Sequence, residues 1–443
     1  MRLMFAALLF VAACGGKESK KEAPPPPEPK PVVTIDAAQA QVEPKEAPKP
    51  PPPPPASDPA PADGYDFTPI ANELLVVGAC GDGPIPEGFS EDLIKTHCEA
   101  VKKTQADYAK GWLDIARPFI AERVPKDLPK KVVYPFAGGD LSTALTVYPD
   151  ADEITTLSLE PAGDPRTLAA LNAVPRAPAN VGKAKPAGKA GPGKPVAPAT
   201  LAKALGTVRY ELDFLYRVNF SNTMNMIDAM RGGALPTQLI FGLSALKVHG
   251  YEVVSLHYFK LDDEGAIKYL TEADVKKAPP VAAGSADFRN RIFANAELRF
   301  RKPGGRIQIY RHLQVNLDDA HLKKDPRVLR HLQAKGPIAG MTKAASYLLS
   351  WESFKTMRDY MIEHVVWMIS DATGIGPKWG KPAGFEYETY GQFTGPHIGA
   401  GNQISKNWEE EFKSQPKREV PFRFGYYDKK GANHLVIMRK KRS

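Results

Sequence analysis

The stretch KVVYPFAGGDLSTALTVYPDADEITTLSLEP, residues 131–161, decides the fold class. Its apolar start, Val132 to Tyr134, predicts a short buried strand, and Asp140 is a residue type that often caps the N-terminus of a helix. Apolar residues then recur with helical spacing at Leu141, Ala144, Leu145 and Tyr148. The segment YPDADE predicts a turn and ITTLSLEP a second strand. The stretch therefore predicts a βαβ unit with two parallel strands.

The rest of the body predicts an α/β protein in which this Rossmann-like unit belongs to a mixed sheet with flanking helices. Before the unit, GFSEDLIKTHCEAVKKTQADYAKGWLDIARPFIAERV has helical spacing that we expect to break near Pro118. After it, LPTQLIFGLSALKVHG predicts a helix, YEVVSLHYFKL a strand and NAELRFRKPGGRIQIYRHLQVNL a hairpin. SWESFKTMRDYMIEHVVWMISDATG predicts one long amphipathic helix. The segments FEYETYGQF, PFRFGYY and HLVIMRKK predict a C-terminal antiparallel hairpin region.

The first residues, MRLMFAALLFVAACGG, combine an early Arg2 with an apolar run that is too short to span a bilayer. The run ends in VAAC and resembles the lipobox of bacterial lipoproteins. This resemblance implies that residues 1–13 are a signal peptide and that Cys14 is lipidated, so that the lipid holds the protein to a membrane. Gly15 stands where Asp is associated with inner-membrane retention, which favours the outer membrane. The alternative is an ordinary secretory leader with a coincidental cysteine.

Residues 14–64 are dense in proline and almost free of large apolar side chains, so they predict a disordered tether. Residues 65–443 are long enough for a globular body with a large core. Within the body, residues 175–200 contain mostly Gly, Pro, Ala and Lys and predict a disordered basic insertion.

The formal net charge of +9 is dispersed, apart from a basic cluster in that insertion and RKKRS at the C-terminus. Outside the cytoplasm such clusters favour anionic lipid or an acidic envelope polymer over nucleic acid as a partner, but a solvated loop and a solvated last strand are the favoured explanation of the two clusters. Besides Cys14 the chain has only Cys80 and Cys98. In an oxidising compartment this pair favours a disulfide, with two buried free thiols as the alternative.

Gly138, Gly139, Asp140 and Glu160 form a candidate ligand-binding site. In nucleotide sites a first strand delivers glycines to the ligand, and an acid about 20 residues later binds a ribose. Glu160 follows Gly138 by 22 residues, but the loop lacks a third glycine and Asp140 would repel a phosphate. S-adenosylmethionine, which carries no phosphate, would tolerate Asp140. S-adenosylmethionine and nucleotide cofactors are made in the cytoplasm, however, so for a protein with a lipoprotein leader we expect no cofactor. We interpret the loop mainly as fold architecture or as a site for another small ligand.

The same residues resemble a recurring pattern of uncharacterised exported bacterial proteins. YPFAGGDLSTALTVYPDA followed by LEPAGDP carries the resemblance, and YGQFTGP and the segment around residues 347–371 match it more loosely. The resemblance implies a recurring βαβ fold with Gly138, Gly139, Asp140 and Glu160 at one sheet edge. It implies no activity.

Other candidate residues are His397, in the glycine-rich loop GQFTGPHIGAGN, and the polar run HLQVNLDDAH, whose spacing matches no zinc site. We therefore expect a lipid-anchored envelope protein whose α/β body is a binding or structural module for an envelope polymer or a protein partner. One alternative is an extracytoplasmic hydrolase or transferase that uses Asp140, Glu160 and His397. Another is a methyltransferase-like fold with lost or altered cofactor use.

Overall fold

Ten strands form one mixed sheet in a computed structural model of the chain. The described residues are 58–60, 62–87, 89–172, 198–221, 223, 226, 235–279, 291–396, 402–427 and 433–441. The strands are β1 (Lys131–Pro135), β2 (Glu153–Ser158), β3 (Glu252–Leu261), β4 (Ile267–Tyr269), β5 (Asn295–Arg301), β6 (Gln308–Gln314), β7 (Ile338–Thr342), β8 (Val365–Ser370), β9 (Phe385–Gly391) and β10 (His434–Lys440).

The strand order is β4-β3-β5-β6-β2-β1-β7-β8-β10-β9. The five central strands, β6, β2, β1, β7 and β8, are parallel to one another. Antiparallel strands extend the sheet on both sides. The sheet is therefore a parallel centre with antiparallel edges, as the sequence predicted for a mixed sheet.

The α-helices of the described residues are α1 (Thr68–Val77), α2 (Glu91–Tyr108), α3 (Asp114–Ala121), α4 (Leu141–Val147), α5 (Thr167–Asn172), α6 (Pro198–Val218), α7 (Thr237–Val248), α8 (Glu272–Lys277), α9 (Asp319–Lys324), α10 (Arg327–Gln333), α11 (Lys355–His364), α12 (Pro377–Gly380) and α13 (Asn402–Ser414). Within the described chain, no helix combines the length and apolar character needed to cross a membrane.

Helices cover both faces of the sheet because successive strand residues point to opposite faces. Tyr134 of β1 packs into a core with α1, α2, α4 and α7, while its neighbour Val133 packs into a second core with α11 and α13. Both side chains are almost completely buried. A central strand that is apolar on both faces is the arrangement expected for a covered parallel sheet.

The predicted βαβ unit is confirmed. Strands β1 and β2 pair in parallel, with Val133 opposite Thr155, and α4 connects them. Asp140 caps α4, because its side chain accepts a hydrogen bond from the backbone N–H of Thr143. The hairpin is also confirmed, as β5 and β6 are antiparallel with Leu298 opposite Tyr310.

Three sequence predictions were wrong. The long helix predicted over residues 350–374 is the shorter helix α11 followed by strand β8, because a short apolar run such as VVWMIS fits a buried strand as well as a helix. The break expected near Pro118 occurs earlier, as a π-helical turn at Ala109–Leu113, and α3 contains Pro118. PFRFGYY is not a regular strand, since only Tyr427 forms a bridge, with Asn433.

At the start of the described chain, two residues that we assigned to the tether contact the body. Ile307 donates its backbone N–H to the carboxylate of Asp58 at 2.9 Å, and Arg299 donates to the carbonyl of Ala60. Cys14 and residues 173–197 lie outside the described residues. Helix α6 begins at Pro198 and so includes the last three residues of the predicted insertion.

Candidate functional site

The topology changes direction between strands β1 and β7. These strands are parallel neighbours, but β1 continues through α4 to β2 on one side, whereas β7 continues through α11 to β8 on the other. The loops that leave the carboxyl ends of β1 and β7 therefore diverge and leave a crevice between them. In open α/β sheets ligands bind at this point.

A cavity of about 470 Å³ lies in this crevice. We call it the switch-point cavity. It is lined by Phe136, Ala137 and Asp140 after β1, by Ser158 and Leu159 at the end of β2 and by Lys343 to Ser346 after β7. The remaining wall is largely aromatic and aliphatic, from Phe214, Phe220, Val315, Leu317, Leu348, Phe354 and Tyr426. The volume falls within the range of about 300–1,000 Å³ found for small-molecule sites.

The charged groups of this cavity form a buried ion pair. The Lys343 ammonium lies 2.6 Å from Oδ2 of Asp140, and it also donates to Oγ1 of Thr143 at 2.6 Å and to Oδ1 of Asn219 at 3.0 Å. The Lys343 side chain is 0% exposed and that of Asp140 is 4% exposed. Burial lowers the pKa of Lys343, although the nearby carboxylates oppose that shift.

Both members of the ion pair are fully hydrogen bonded. The three donors of the Lys343 ammonium match its three acceptors. Asp140 accepts in addition from the Tyr134 hydroxyl at 3.0 Å and from the hydroxyl and backbone N–H of Thr143. Because all three N–H groups of the ammonium are engaged, Lys343 is arranged as a fixed cation rather than as a nucleophile or base.

Unusual backbone conformations concentrate around this cavity. Phe136, Ala344 and Ser346 line it, and all three have positive φ angles, of 58°, 50° and 51°. Asn219, which binds Lys343, and Tyr347, which stacks on Tyr426 at 6.1 Å between ring centroids, are also left-handed. Such conformations cost about 1–3 kcal/mol each and are found at functional sites that the surrounding structure holds in place.

Asp371 holds the strained loop after β7. Its carboxylate is completely buried and accepts from the backbone N–H groups of Ala344 at 2.9 Å and Tyr426 at 3.1 Å. Thr373, which also donates its N–H to Asp371, accepts from the N–H of Ala345 at 3.0 Å. One buried carboxylate thus joins two walls of the cavity.

The predicted glycine pair faces protein. A Cβ at Gly138 would overlap the hydroxyl of Ser221, and a Cβ at Gly139 would overlap the ring of Phe241. Gln238 also donates to the carbonyl of Gly138 at 2.8 Å. The glycines therefore permit close packing of neighbouring segments, and the surface that a nucleotide would approach is covered by these side chains.

Glu160 lies at the predicted sheet edge but does not line the cavity with Asp140. Its side chain is 0% exposed, and neither carboxylate oxygen makes a hydrogen bond of normal geometry within the described chain. Burial raises the pKa of Glu160, and polar groups of Ser158 and Thr223 offset this only in part. The expectation that Asp140 and Glu160 act as an acid pair in one site therefore has no geometric support.

The other predicted residues are separated. His312 is buried and binds the carbonyl of Glu160 at 2.7 Å, and burial lowers its pKa to about 4. Asp318 caps α9 and pairs with His321, whereas Asp319 accepts from the backbone of Thr356. His397 lies outside the described residues.

Sequence reasoning missed Lys343, Asn219 and the loop Ala344 to Ser346. Strand β7, sequence IAGMT, precedes Lys343 and was not predicted, because it is short and interrupted by Gly340. Left-handed Ala344 and Ser346 carry no sequence signal, since turn residues with positive φ are normally Gly, Asn or Asp.

Comparison with known proteins leaves the fold without a named relative. No protein-family model matches the chain, and neither curated proteins nor solved structures gave a match. The resemblance of YPFAGGDL and LEPAGDP to exported bacterial proteins therefore stays a prediction.

Proposed function

We propose that this protein is a lipid-anchored protein of the cell envelope, at the outer membrane, whose body binds a small and mainly apolar ligand in the switch-point cavity. The observation that carries the binding proposal is that left-handed backbone is concentrated at a cavity on the topological switch point. The lipobox around Cys14 supports the anchor.

The lining sets the chemistry of the ligand. Phe136, Phe214, Phe220, Phe354 and Tyr426 supply aromatic surface, which suits a flat ring or an acyl chain. The two charges on the lining, Asp140 and Lys343, neutralise each other. A charged ligand would have to break this pair, so we expect an uncharged ligand.

A few uncharged polar groups stand among these apolar walls. Ser158, Asn316 and Ser346 line the cavity and can orient one hydroxyl, carbonyl or amide of the ligand. A lipid-derived or aromatic envelope component has this chemistry. An envelope polymer or a protein partner remains compatible if it inserts one apolar group.

Binding is favoured over catalysis by the state of the polar groups. All three N–H groups of Lys343 are already bonded to acceptors and Asp140 caps a helix, so neither residue is arranged as a free general acid or base. Methyl transfer is disfavoured as well, because Ser221 and Phe241 cover the glycine pair.

The anchor is tested by membrane fractionation of the wild type beside Cys14→Ser, with mass spectrometry of the N-terminus. We expect an acylated wild type that sediments with the outer membrane and an unacylated variant that does not. If both proteins remain soluble in the cytoplasm, the anchor is refuted and S-adenosylmethionine binding should be measured directly.

Ligand binding is tested on the unlipidated Cys14→Ser chain with N-phenyl-1-naphthylamine, an uncharged aromatic probe that fluoresces in apolar sites. We expect saturable binding that is lost in Leu348→Trp, because the indole would fill the cavity that Leu348 lines. Tyr210→Trp is the matched control, since Tyr210 is 61% exposed on α6. Equal binding by both variants would contradict the proposed site.

A further inference from the structure

We propose that Cys80, His97 and Cys98 form a redox-controlled metal site, which binds a soft or borderline ion such as Zn²⁺ or Cu⁺ once the disulfide is reduced. Cys80 follows α1, and His97 and Cys98 are adjacent residues of α2. The two sulfurs and one imidazole nitrogen lie within 4.8 Å of one another. None of the three residues lines the switch-point cavity, so the proposal is independent of the proposed function.

In the structure the two cysteines form a disulfide, with their Cα atoms 5.2 Å apart. The oxidised pair offers no thiolate to a metal. Reduction makes both sulfurs available as metal ligands without a large rearrangement, because their positions are set by α2 and by the loop that follows α1.

His97 is oriented as metal-binding histidines are. It is 3% exposed, and its Nε2 lies 3.0 Å from the carbonyl oxygen of Gly78, to which it donates a hydrogen. That bond leaves the lone pair on Nδ1, which is buried and has no hydrogen-bond partner within the described chain. A backbone carbonyl on one ring nitrogen is the usual second-shell support for a metal on the other.

The surroundings suit two thiolates. The Lys247 ammonium donates to the carbonyl of Cys80 and to Oε1 of Gln105, which places a positive charge beside the loop. Cys80 is buried, whereas Cys98 is half-buried and so gives a reductant access to one sulfur. Positive charge beside a cysteine favours its thiolate.

A dithiol reductant, itself oxidised to a disulfide, gives two electrons and two protons and converts the protein disulfide into two thiols. A divalent ion then displaces two protons, and the two thiolates neutralise its charge. With the imidazole this makes a Cys₂His set of three protein ligands, and zinc would take a fourth ligand from solvent.

The test uses the full mature chain in the Cys14→Ser background, in which Cys80 and Cys98 are the only cysteines. After reduction with a phosphine and removal of the reductant under argon, the protein is titrated with Co²⁺ as a spectroscopic substitute for Zn²⁺. We expect one equivalent to give a thiolate-to-cobalt charge-transfer band, and the oxidised protein to give none. Absence of that band in folded, reduced protein would overturn the proposal.

Two histidine variants separate a ligand from a structural residue. His97→Gln should weaken Co²⁺ binding by at least about 10–100-fold, the loss seen when only a second-shell partner is removed. His331→Gln is the matched control, because His331 is also buried and also binds a glycine carbonyl, and among the described residues its other ring nitrogen has no hydrogen-bond partner either. Equal affinities in the two variants would overturn the role of His97.

If reduction lowers the helix content measured by circular dichroism, metal is added to the reduced chain. Zn²⁺ should then restore the signal in the Cys14→Ser chain and not in the chain that also carries His97→Gln, because metal binding and folding are coupled. Failure of Zn²⁺ to restore the helix content would equally overturn the proposal.

Discussion

Replacing Lys343 by Met should cost about 3–5 kcal/mol of unfolding free energy. The substitution removes the ammonium that lies 2.6 Å from Asp140 and leaves a carboxylate in a site where its side chain is 4% exposed. Asp140 keeps its bonds from Tyr134 and Thr143, but the charge has no counterion on the cavity lining. Removing one partner of a buried ion pair typically lowers the free energy of unfolding by about 3–5 kcal/mol.

The double variant Asp140→Asn with Lys343→Met should be more stable than the sum of the single effects by about 2–3 kcal/mol, since it leaves no buried charge. The assay is urea unfolding followed by circular dichroism in the Cys14→Ser background. A cost below about 1 kcal/mol, or strict additivity in the double variant, would refute the buried ion pair.

Three further predictions follow from the packing and the buried titratable groups. Gly139→Ala should destabilise the fold by about 1–3 kcal/mol in urea unfolding, because its Cβ would overlap Phe241. The control Gly206→Ala places its Cβ in open space on α6 and should be neutral or stabilising, so equal effects of the two variants would contradict the packing role of Gly139. Burial raises the pKa of Glu160, so the folded protein holds a proton there that the unfolded chain releases, and the free energy of unfolding should fall as pH rises above about 4.5. Glu160→Gln should remove that fall, and an unchanged pH profile of stability in the variant would contradict the raised pKa. For His312 the pH dependence of stability is reversed, because its pKa is about 4 in the folded protein against about 6.5 in the unfolded chain. Its neutral imidazole should contribute up to about 3 kcal/mol of stability, which is lost as pH falls from about 6.5 towards 4. His312→Gln should abolish this loss in acid unfolding curves.

The sequence predicts those parts of the fold whose residue pattern is contiguous along the chain. The unit from Lys131 to Ser158 was predicted because its strand, cap, helix and second strand follow one another within one short stretch. Strand β8 was missed because an apolar run of six residues has no period that separates a buried strand from a helix.

The candidate site was predicted only in part, because its partners are distant in sequence. Asp140 was identified as a helix cap and as a candidate ligand residue, but its partner Lys343 lies 203 positions later, after a strand that the pattern did not reveal. The glycines were interpreted from their spacing, whereas their packing depends on Ser221 and Phe241, which only the tertiary structure brings together. Glu160 has suitable spacing, but its carboxylate is buried and makes no hydrogen bond of normal geometry within the part of the chain that the structure describes.

The central claim is that backbone strain at the switch-point cavity serves ligand binding. Phe136 tests it best, because this half-buried aromatic residue lines the cavity at a φ of 58° and packs edge-to-face on Phe354 at 5.6 Å. In Phe136→Gly the left-handed backbone is relieved by about 1–2 kcal/mol, which offsets the lost ring contacts.

The decisive measurement is the affinity of Phe136→Gly for N-phenyl-1-naphthylamine, taken together with its stability in urea, in the Cys14→Ser chain. We predict that stability stays within about 1 kcal/mol of the parent or rises, while the probe binds about tenfold more weakly, since an aromatic contact is worth about 0.5–1.5 kcal/mol. A variant that loses more than about 2 kcal/mol of stability and binds the probe with unchanged affinity would contradict the claim.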